Sequence, residues 1–188
     1  MRWMTLGIFV LLLTQITAQA GDIYKIDPEH TFSSFEYLHW GLSSQRGRFD
    51  RNAGVIEYDA AAKTISIDIH IDTASVSTGS DAFDKVLKSD DFFDANAFPQ
   101  MTFKSTSAQF DGDNLTQVSG DLTIKAVTLP VVMEISHFGC RFMLLYVRQA
   151  CGANGSAKIL RSDFGMGRYT PFVSDAVTLY FSVEGIKE

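Results

Sequence analysis

Cysteine, proline and positive charge are all scarce in this sequence of 188 residues. It has two cysteines and four prolines, and 16 lysines and arginines stand against 22 aspartates and glutamates, for a formal net charge of −6. An acidic chain without a basic stripe argues against binding to nucleic acid and against electrostatic docking on anionic lipid head groups. The four histidines show no HxH or HxxxH spacing, so we expect no metal site. No cofactor is expected either.

Long apolar runs are also missing, except for one at the N-terminus. Leu6–Leu13 follows Arg2 and precedes the small-residue site Ala18–Ala20, the pattern of a cleavable secretory signal peptide. This run is far shorter than the roughly 20 residues that a membrane-spanning helix needs. We therefore expect residues 1–20 to be a signal peptide and residues 21–188 to form one exported, soluble domain.

The two cysteines, Cys140 and Cys151, lie close together in the sequence. An even pair in an exported chain is most simply a disulfide, here closing a short loop. There is no CxxC motif and His137 alone does not complete a ligand set, so a redox or metal site is less favoured. The enclosed segment Arg141–Ala150 is unusually apolar for a loop, and it is interpreted as an extra hairpin edge or an exposed patch that meets a membrane or a partner.

Alternation of apolar and polar residues dominates the rest of the chain. In Thr64–Thr73 four isoleucines alternate with polar residues, which predicts a strand with one buried and one wet face. Val177–Glu184 repeats this pattern, and turn sequences are predicted at Asp111–Asn114 and Gly152–Gly155. Further strands are predicted over residues 34–41, 47–58, 101–110, 117–125, 131–138 and 156–161.

One segment departs from the strand pattern. Ala82, Phe83, Val86 and Leu87 stand at helical spacing, and Pro99 prevents a helix from continuing into the next strand. About eight strands and one helix predict an all-β fold, either an antiparallel barrel or a sandwich. An eight-stranded barrel can be filled by side chains or can hold one small ligand, and periodicity does not distinguish the two.

Five collinear segments lie in order within residues 21–188: IDPEHTFSSFEYLHWG, GRFDRNAGVIEYD, DFFDANAFPQMTFKST, SGDLTIKAVTLPVVMEI and LRSDFGMGRY. Together they resemble the YceI family of exported bacterial lipid-binding proteins. The resemblance implies an eight-stranded antiparallel, lipocalin-like barrel with the short helix capping or flanking it, in the periplasm. It further implies an apolar tunnel for a long-chain isoprenoid, of polyprenyl or quinone type. The family commonly has an Arg-Asp pair and a histidine in the helix, where this chain has Phe83-Asp84 and Val86, so that head-group contact does not carry over.

The aromatic content is compatible with such a tunnel, since 15 phenylalanines are present. His39 shares strand parity with Phe35 and Tyr37, so it would either hydrogen-bond a ligand head group or be a core histidine satisfied by the backbone. Phe92 and Phe93 are interpreted as lid or tunnel-mouth residues beside the buried stripe of the helix. The predicted ligand contacts are Phe35, Tyr37, His39, Phe49, Phe83, Val86, Leu87, Phe92, Phe93 and Phe103.

The loop Arg161–Tyr169 offers a basic residue, an acid and two glycines. Arg161 could bind a phosphate bidentately, but a structural pairing with Asp163 is favoured.

Two other functions remain open from the sequence. A hydrolase acting on a small ester or lipid would use His30 or His39 as base, although GxSxG is absent and a turn role for His30 is more common. A filled barrel without a ligand would act through its surface. The favoured hypothesis is a carrier, not an enzyme, with an isoprenoid lipid as partner and with room for transient membrane contact or a homodimer.

Overall fold

The computed structural model describes residues 21–188. The predicted signal peptide, residues 1–20, lies outside the described residues. Within residues 21–188, no helix combines the length and apolar character needed to cross a bilayer. The described elements are β1 Asp22–Ile26, β2 Phe32–His39, β3 Ser43–Phe49, β4 Asn52–Asp59, β5 Thr64–Asp72, β6 Val76–Ser77, α1 Asp81–Leu87, β7 Gln100–Asp111, β8 Asn114–Ile124, β9 Val127–Met143, β10 Arg148–Leu160 and β11 Ala176–Lys187.

The strands close into an antiparallel barrel. Each strand pairs with the next in the order β1-β4-β5-β7-β8-β9-β10-β11, and β11 pairs back onto β1 through Tyr24↔Lys187 and Ile26↔Gly185. Closure gives the backbone groups at both edges of the sheet a partner. The predicted eight-stranded antiparallel barrel is therefore confirmed.

Three neighbouring staves of the barrel wall each consist of two strands separated by a break: β1 with β2, β4 with β3, and β5 with β6. β1 and β2 lie along the same edge of β11, with β1 opposite Gly185–Lys187 and β2 opposite Thr178–Ser182. β4 and β3 pair with β1 and β2 in the same way, and the short β6 extends β5 alongside β3. We call the level of these breaks, at residues 27–31, 50–51 and 73–75, the waist. The upper half contains β2, β3, β6 and α1, and the lower half contains β1 and β4.

Buried polar side chains hold the waist together. The Asn52 amide donates to the carbonyl oxygens of Thr31 and Phe49 at 3.1 and 2.9 Å, and its oxygen accepts from the Ser33 hydroxyl at 2.8 Å. Such bonds satisfy backbone groups that a broken strand leaves without a ladder partner. Apart from Arg161, the buried polar side chains of residues 21–188 all lie at or beside these breaks: Thr31, Ser33, Asn52, Thr73 and Ser75.

The β9–β10 hairpin differs from the prediction. Gly152–Gly155, predicted as a turn, lies inside β10, and the hairpin turn falls at residues 144–147. A Cβ on Gly155 would come within 3.0 Å of Ile135 Cδ1, so this glycine serves close packing between strands. The predicted Cys140–Cys151 disulfide is present and joins directly opposed residues of β9 and β10.

The helix forms where its spacing predicts. Ser80 caps α1 by accepting a hydrogen bond from the Phe83 amide, and the helix ends at Leu87, well before Pro99. The following turns are closed by backbone bonds, including Phe93 N–H to the Leu87 carbonyl at 3.0 Å. These turns fold Phe92 and Phe93 back toward the barrel instead of letting the helix continue.

Candidate ligand-binding cavity

The upper half of the barrel encloses a cavity of about 750 Å³. This volume falls inside the roughly 300–1,000 Å³ range of small-molecule pockets. Apolar side chains dominate the wall, and no carboxylate of the described residues lines it. Half-exposed side chains at the top of the wall, such as Trp40 and Phe172, show that the cavity opens at the upper end.

The lower half is filled by side chains, leaving a void of only about 50 Å³. Phe103 is 2% exposed there, and its ring lies over Gly120, where an added Cβ would come within 2.4 Å of the ring. Phe181 lines both the upper cavity and this void, and so separates them. The upper cavity contradicts the filled-barrel hypothesis for one half of the molecule only.

Nine of the ten predicted contact residues line the upper cavity. They are Phe35, Tyr37, His39, Phe49, Phe83, Val86, Leu87, Phe92 and Phe93. The tenth, Phe103, is placed in the lower half because its position along β7 lies below the cavity floor. Val86 is 41% exposed, so it belongs to the rim of the cavity and not to the buried stripe of α1. The binding role of the nine stays a prediction.

An aromatic cluster forms one wall of the cavity. Phe93 lies 5.1 Å from Phe49 and 6.3 Å from Phe35 between ring centroids, in edge-to-face and tilted arrangements. The Phe35 ring packs over Gly47 on the neighbouring strand, where a Cβ would come within 2.3 Å of Phe35 Cζ. Edge-to-face and tilted arrangements are favoured between aromatic rings, so these side chains offer a rigid apolar surface to a ligand.

The mouth of the cavity combines Phe92, which was predicted there, with Trp40, Tyr169 and Phe172, which were not among the predicted contacts. Trp40 stacks on Phe172 at 4.7 Å, and the Trp40 amide donates to the Phe172 carbonyl at 2.7 Å. Tyr169 stacks on Phe92 at 6.4 Å, which joins the β10–β11 loop to the segment after α1. Arg168 and Asp91 form an exposed ion pair across the same gap. In the sequence, these mouth residues could have been suspected because aromatic side chains stand beside a turn glycine in HWG and beside a proline in YTPF.

Arg161 is buried and holds the β10–β11 loop in place. Its Nε donates to the Ser174 carbonyl, its Nη1 to those of Met166 and Arg168, and its Nη2 to the Val173 carbonyl and the Thr170 hydroxyl. All five N–H donors of the guanidinium are thereby used. The pairing with Asp163 is wrong because backbone carbonyls, not a carboxylate, surround the charge. Burial lowers the pKa of Arg161.

Tyr37 and His39 place polar groups beside the apolar wall. Burial raises the pKa of the half-buried Tyr37 hydroxyl, the nearby Arg161 charge opposes this shift, and no hydrogen bond contributes to it. His39 lies higher, at the mouth, with its ring edge toward Trp40 at 6.5 Å. The strand parity predicted for Phe35, Tyr37 and His39 is confirmed, since all three line the same cavity.

His30 lies on the outer surface of the waist, away from the cavity. Its Nδ1 is 2.8 Å from Asp27 Oδ2, and the Glu184 carboxylate is near enough that ligand atoms of all three groups lie within 4.8 Å of one another. The Ser33 hydroxyl donates to Asn52 instead, so Asp27, His30 and Ser33 do not form a nucleophile, base and orienting group. This arrangement is a turn held by a histidine–carboxylate bond.

Comparison with known proteins supports this architecture. The model of the YceI-like domain family matches residues 24–185. Protein YceI of Shigella flexneri is 36% identical over 184 residues, which cover 95% of this chain and 93% of that protein.

Two solved structures have the same fold. BcnA of Burkholderia cenocepacia superposes with a TM-score of 0.70 at 26% identity, covering 85% of this chain and 98% of that one. A polyisoprenoid-binding domain from Saccharophagus degradans, implicated in plant cell wall breakdown, gives a TM-score of 0.65 at 16% identity over 88% of this chain and 98% of its own. With its barrel, its motifs and these relatives, the chain belongs to the YceI-like domain family.

Proposed function

We propose that this protein is a periplasmic carrier that holds one long-chain isoprenoid lipid in its upper cavity. The observation that carries the proposal is the apolar cavity of about 750 Å³, open at one end and closed by Phe181 at the other. Apolar surface gains about 25 cal/mol per Å² when it leaves water, so a hydrocarbon tail in this cavity has a large driving force. The N-terminal export pattern supports the periplasmic location.

The polar groups of the wall favour a lipid with a neutral head group, such as a quinone or a polyprenol. Arg161 and Arg46 are the cations that line the cavity among the described residues. Arg161 has all its donors engaged within the protein, and Arg46 pairs with Glu36 at the exposed rim. A diphosphate would need free cationic donors. The Tyr37 hydroxyl and the His39 ring instead suit a carbonyl or hydroxyl oxygen.

The two sides of the mouth are held together by contacts of unequal strength. The contacts that join its two sides are the Phe92–Tyr169 stack and the exposed Arg168–Asp91 pair. An exposed ion pair contributes only about 0–1 kcal/mol, so this side of the mouth can separate at low cost. The Trp40–Phe172 side also has backbone hydrogen bonds and is the firmer one.

The similarity to known proteins is compatible with this ligand class. The Saccharophagus domain, described as polyisoprenoid-binding, has the same fold. A hydrolase function is less favoured because His30 faces away from the cavity and the Ser33 hydroxyl is bound to Asn52. His39, the other candidate base, lines a cavity that no carboxylate of the described residues borders, so no acid is placed there to orient its ring.

Mass spectrometry of an organic extract from natively purified protein tests the proposal. We expect the extract of the parent protein to contain a stoichiometric neutral isoprenoid. The extract of a Val177→Trp variant should lack it, because the indole ring fills part of the cavity. The matched Val132→Trp variant, on the outer wall, retains it. An empty extract from a parent protein that also takes up no added quinone or polyprenol would refute the carrier function.

The head-group assignment has its own test. Tyr37→Phe removes one hydroxyl and leaves the ring, so affinity for a long-tailed quinone should fall by about 2- to 10-fold, the contribution of one hydrogen bond. Affinity for an isoprenoid hydrocarbon without a head group should not change. Equal losses for both ligands would show that Tyr37 contacts the tail.

A further inference from the structure

Another exposed apolar region of the described residues lies at the end opposite the mouth. We call residues 141–150, the distal part of the β9–β10 hairpin, the finger. Leu144 and Leu145 at its turn are 84% and 81% exposed, and Phe142 and Val147 are also exposed. β10 runs 13 residues from the finger to the mouth, about 40 Å at 3.3 Å per residue. The finger is therefore separate from the ligand cavity.

The finger projects beyond the barrel wall. β9 pairs with β8 only as far as Glu134↔Gln117, and β10 pairs with β11 only from Ala150↔Ile186. Among the described residues, the ladder partners of 141–149 therefore all lie within the hairpin itself. Two side chains at its base contact the barrel end: Arg148 Nη1 donates to the Lys187 carbonyl at 3.3 Å, and the Tyr24 hydroxyl donates to Gln149 Oε1 at 3.2 Å. The Cys140–Cys151 disulfide joins the two strands at the base of this projection. An apolar turn is thus held away from the core on a cross-linked stem.

Charge distinguishes the finger from the rest of the molecule. Arg141 and Arg148 flank the apolar turn and lie on one face of the hairpin, while residues 139–151 contain no acid. The whole chain, in contrast, has a net charge of −6. An apolar tip with a basic collar and a tyrosine, Tyr146, matches the layering of an anionic bilayer surface, where acyl chains lie beneath phosphates.

We propose that the finger docks the protein on an anionic phospholipid bilayer, with Leu144 and Leu145 entering the interface and both arginines contacting lipid phosphates. A second copy of the chain fits less well. A two-fold contact at the finger would bring four arginines together without an acid of the finger between them, which disfavours association. The net charge predicted no electrostatic docking, but the local charge of the finger has the opposite sign. When the protein docks through the finger, its mouth points away from the bilayer.

Co-sedimentation with vesicles tests the proposal on the chain from Gly21 to Glu188. The parent protein should bind vesicles of phosphatidylethanolamine and phosphatidylglycerol, and bind phosphatidylcholine vesicles more weakly. Leu144→Ser/Leu145→Ser should lower the partition coefficient by about tenfold or more. Arg141→Gln/Arg148→Gln should lower it by about tenfold on anionic vesicles and remove most of its salt dependence.

Matched controls separate the finger from other apolar surface. Val55→Ser/Val132→Ser changes two half-exposed valines on the barrel wall and should leave binding within about twofold of the parent. Trp40 is the single tryptophan of residues 21–188, so its emission reports on the mouth. It should not shift to the blue on vesicles, whereas a Tyr146→Trp/Trp40→Phe variant should shift.

Four outcomes would overturn the proposal. They are a parent protein that binds no vesicles, finger variants that bind like the parent, a blue shift of Trp40 that places the mouth on the bilayer, and a parent dimer that the finger substitutions convert to monomer. The last would assign the finger to a contact between copies. None of these outcomes depends on the ligand, so the carrier function is tested separately.

Discussion

The upper and lower halves of the barrel share strands β7–β11, yet one half encloses a cavity and the other is almost filled by side chains. β11 illustrates the difference: Val177 and Leu179 face the open cavity, while Val183, on the same face of the strand, lines the small void below. Phe181 stands between them and borders both. An alternating apolar pattern therefore guarantees an apolar interior, but it does not determine whether that interior is filled.

The waist lies at the boundary between the two halves. In the lower half, β1 and β4 pair closely and large side chains meet across the barrel. Above the waist the wall continues through β2, β3 and β6, and α1 with the turns after it packs beside them. The buried Asn52 bridges two of the breaks. Three neighbouring breaks thus lie at the level where the filled interior gives way to the cavity.

The strongest test of the comparison places the same substitution in each half. Phe103→Ala, in the filled half, should lower the free energy of unfolding by about 3–5 kcal/mol because it leaves a void in a packed core. Phe83→Ala, on the cavity wall, should cost less than half of that, since Phe83 is only partly buried and already borders open space. Urea denaturation of the ligand-free proteins measures both. Equal costs would mean that the two halves are packed alike.

The next largest effect concerns the waist. Asn52→Ala removes the donor to two buried carbonyls and the acceptor of Ser33, so we expect a loss of about 2–4 kcal/mol. Asn114→Ala, at the exposed end of the β7–β8 hairpin, is the control and should change stability by less than about 0.5 kcal/mol. Similar losses in both variants would remove any special role for Asn52.

A smaller effect is expected at the boundary between the halves. Phe181→Ala joins the cavity to the void below, at a stability cost below the roughly 3–5 kcal/mol of a fully packed phenylalanine. The deeper cavity should raise the affinity ratio of long over short polyprenols by about threefold or more, measured by competition binding. Phe138→Ala enlarges the lower void without opening it and should leave the ratio unchanged. A ratio that moves equally in both variants would contradict the boundary role of Phe181.

The smallest effect is a pH dependence at the outer surface of the waist. The bond to Asp27 raises the pKa of His30, with help from the charges of Glu184 and Glu29, and the same bond lowers the pKa of Asp27. A raised histidine pKa stabilises the fold below the ordinary value near 6.5, and this stability is lost as the pH rises through the folded-state value. The Asp27 contribution is lost at the acid end, as the pH falls through its lowered value.

His30→Gln isolates this effect. The urea midpoint of the parent should fall slightly from pH 6 to pH 8 relative to the midpoint of the variant. Parallel midpoint curves for the two proteins over that range would show that the Asp27–His30 bond contributes nothing to the waist.

Sequence patterns predicted much of the secondary structure and failed where long-range pairing decides. The period-two segments 64–73 and 177–184 and the helix at Ala82–Leu87 are confirmed within three residues at their ends. β1 was missed because five residues contain too little alternation to identify a strand. The glycines near Gly155 resembled a turn, yet pairing with β9 and β11 on both sides keeps the chain extended.

The candidate site divides in the same way. Strand parity placed Phe35, Tyr37 and His39 on one face, because side-chain direction along a strand is a local property. Trp40 and Phe172 are 132 positions apart in the sequence, and only the folded chain brings them together as the mouth.

By itself, then, the sequence determined an apolar interior, an all-β class, a helix before Pro99 and a family, since these depend on local periodicity and on motifs in order. The tertiary structure decided that the interior is open above Phe181 and filled below it. It also decided that Arg161 donates its hydrogen bonds to the β10–β11 loop, and that Arg141 and Arg148 flank an exposed apolar tip. Those outcomes depend on contacts between strands that are far apart in the sequence, and local periodicity carries no information about such contacts.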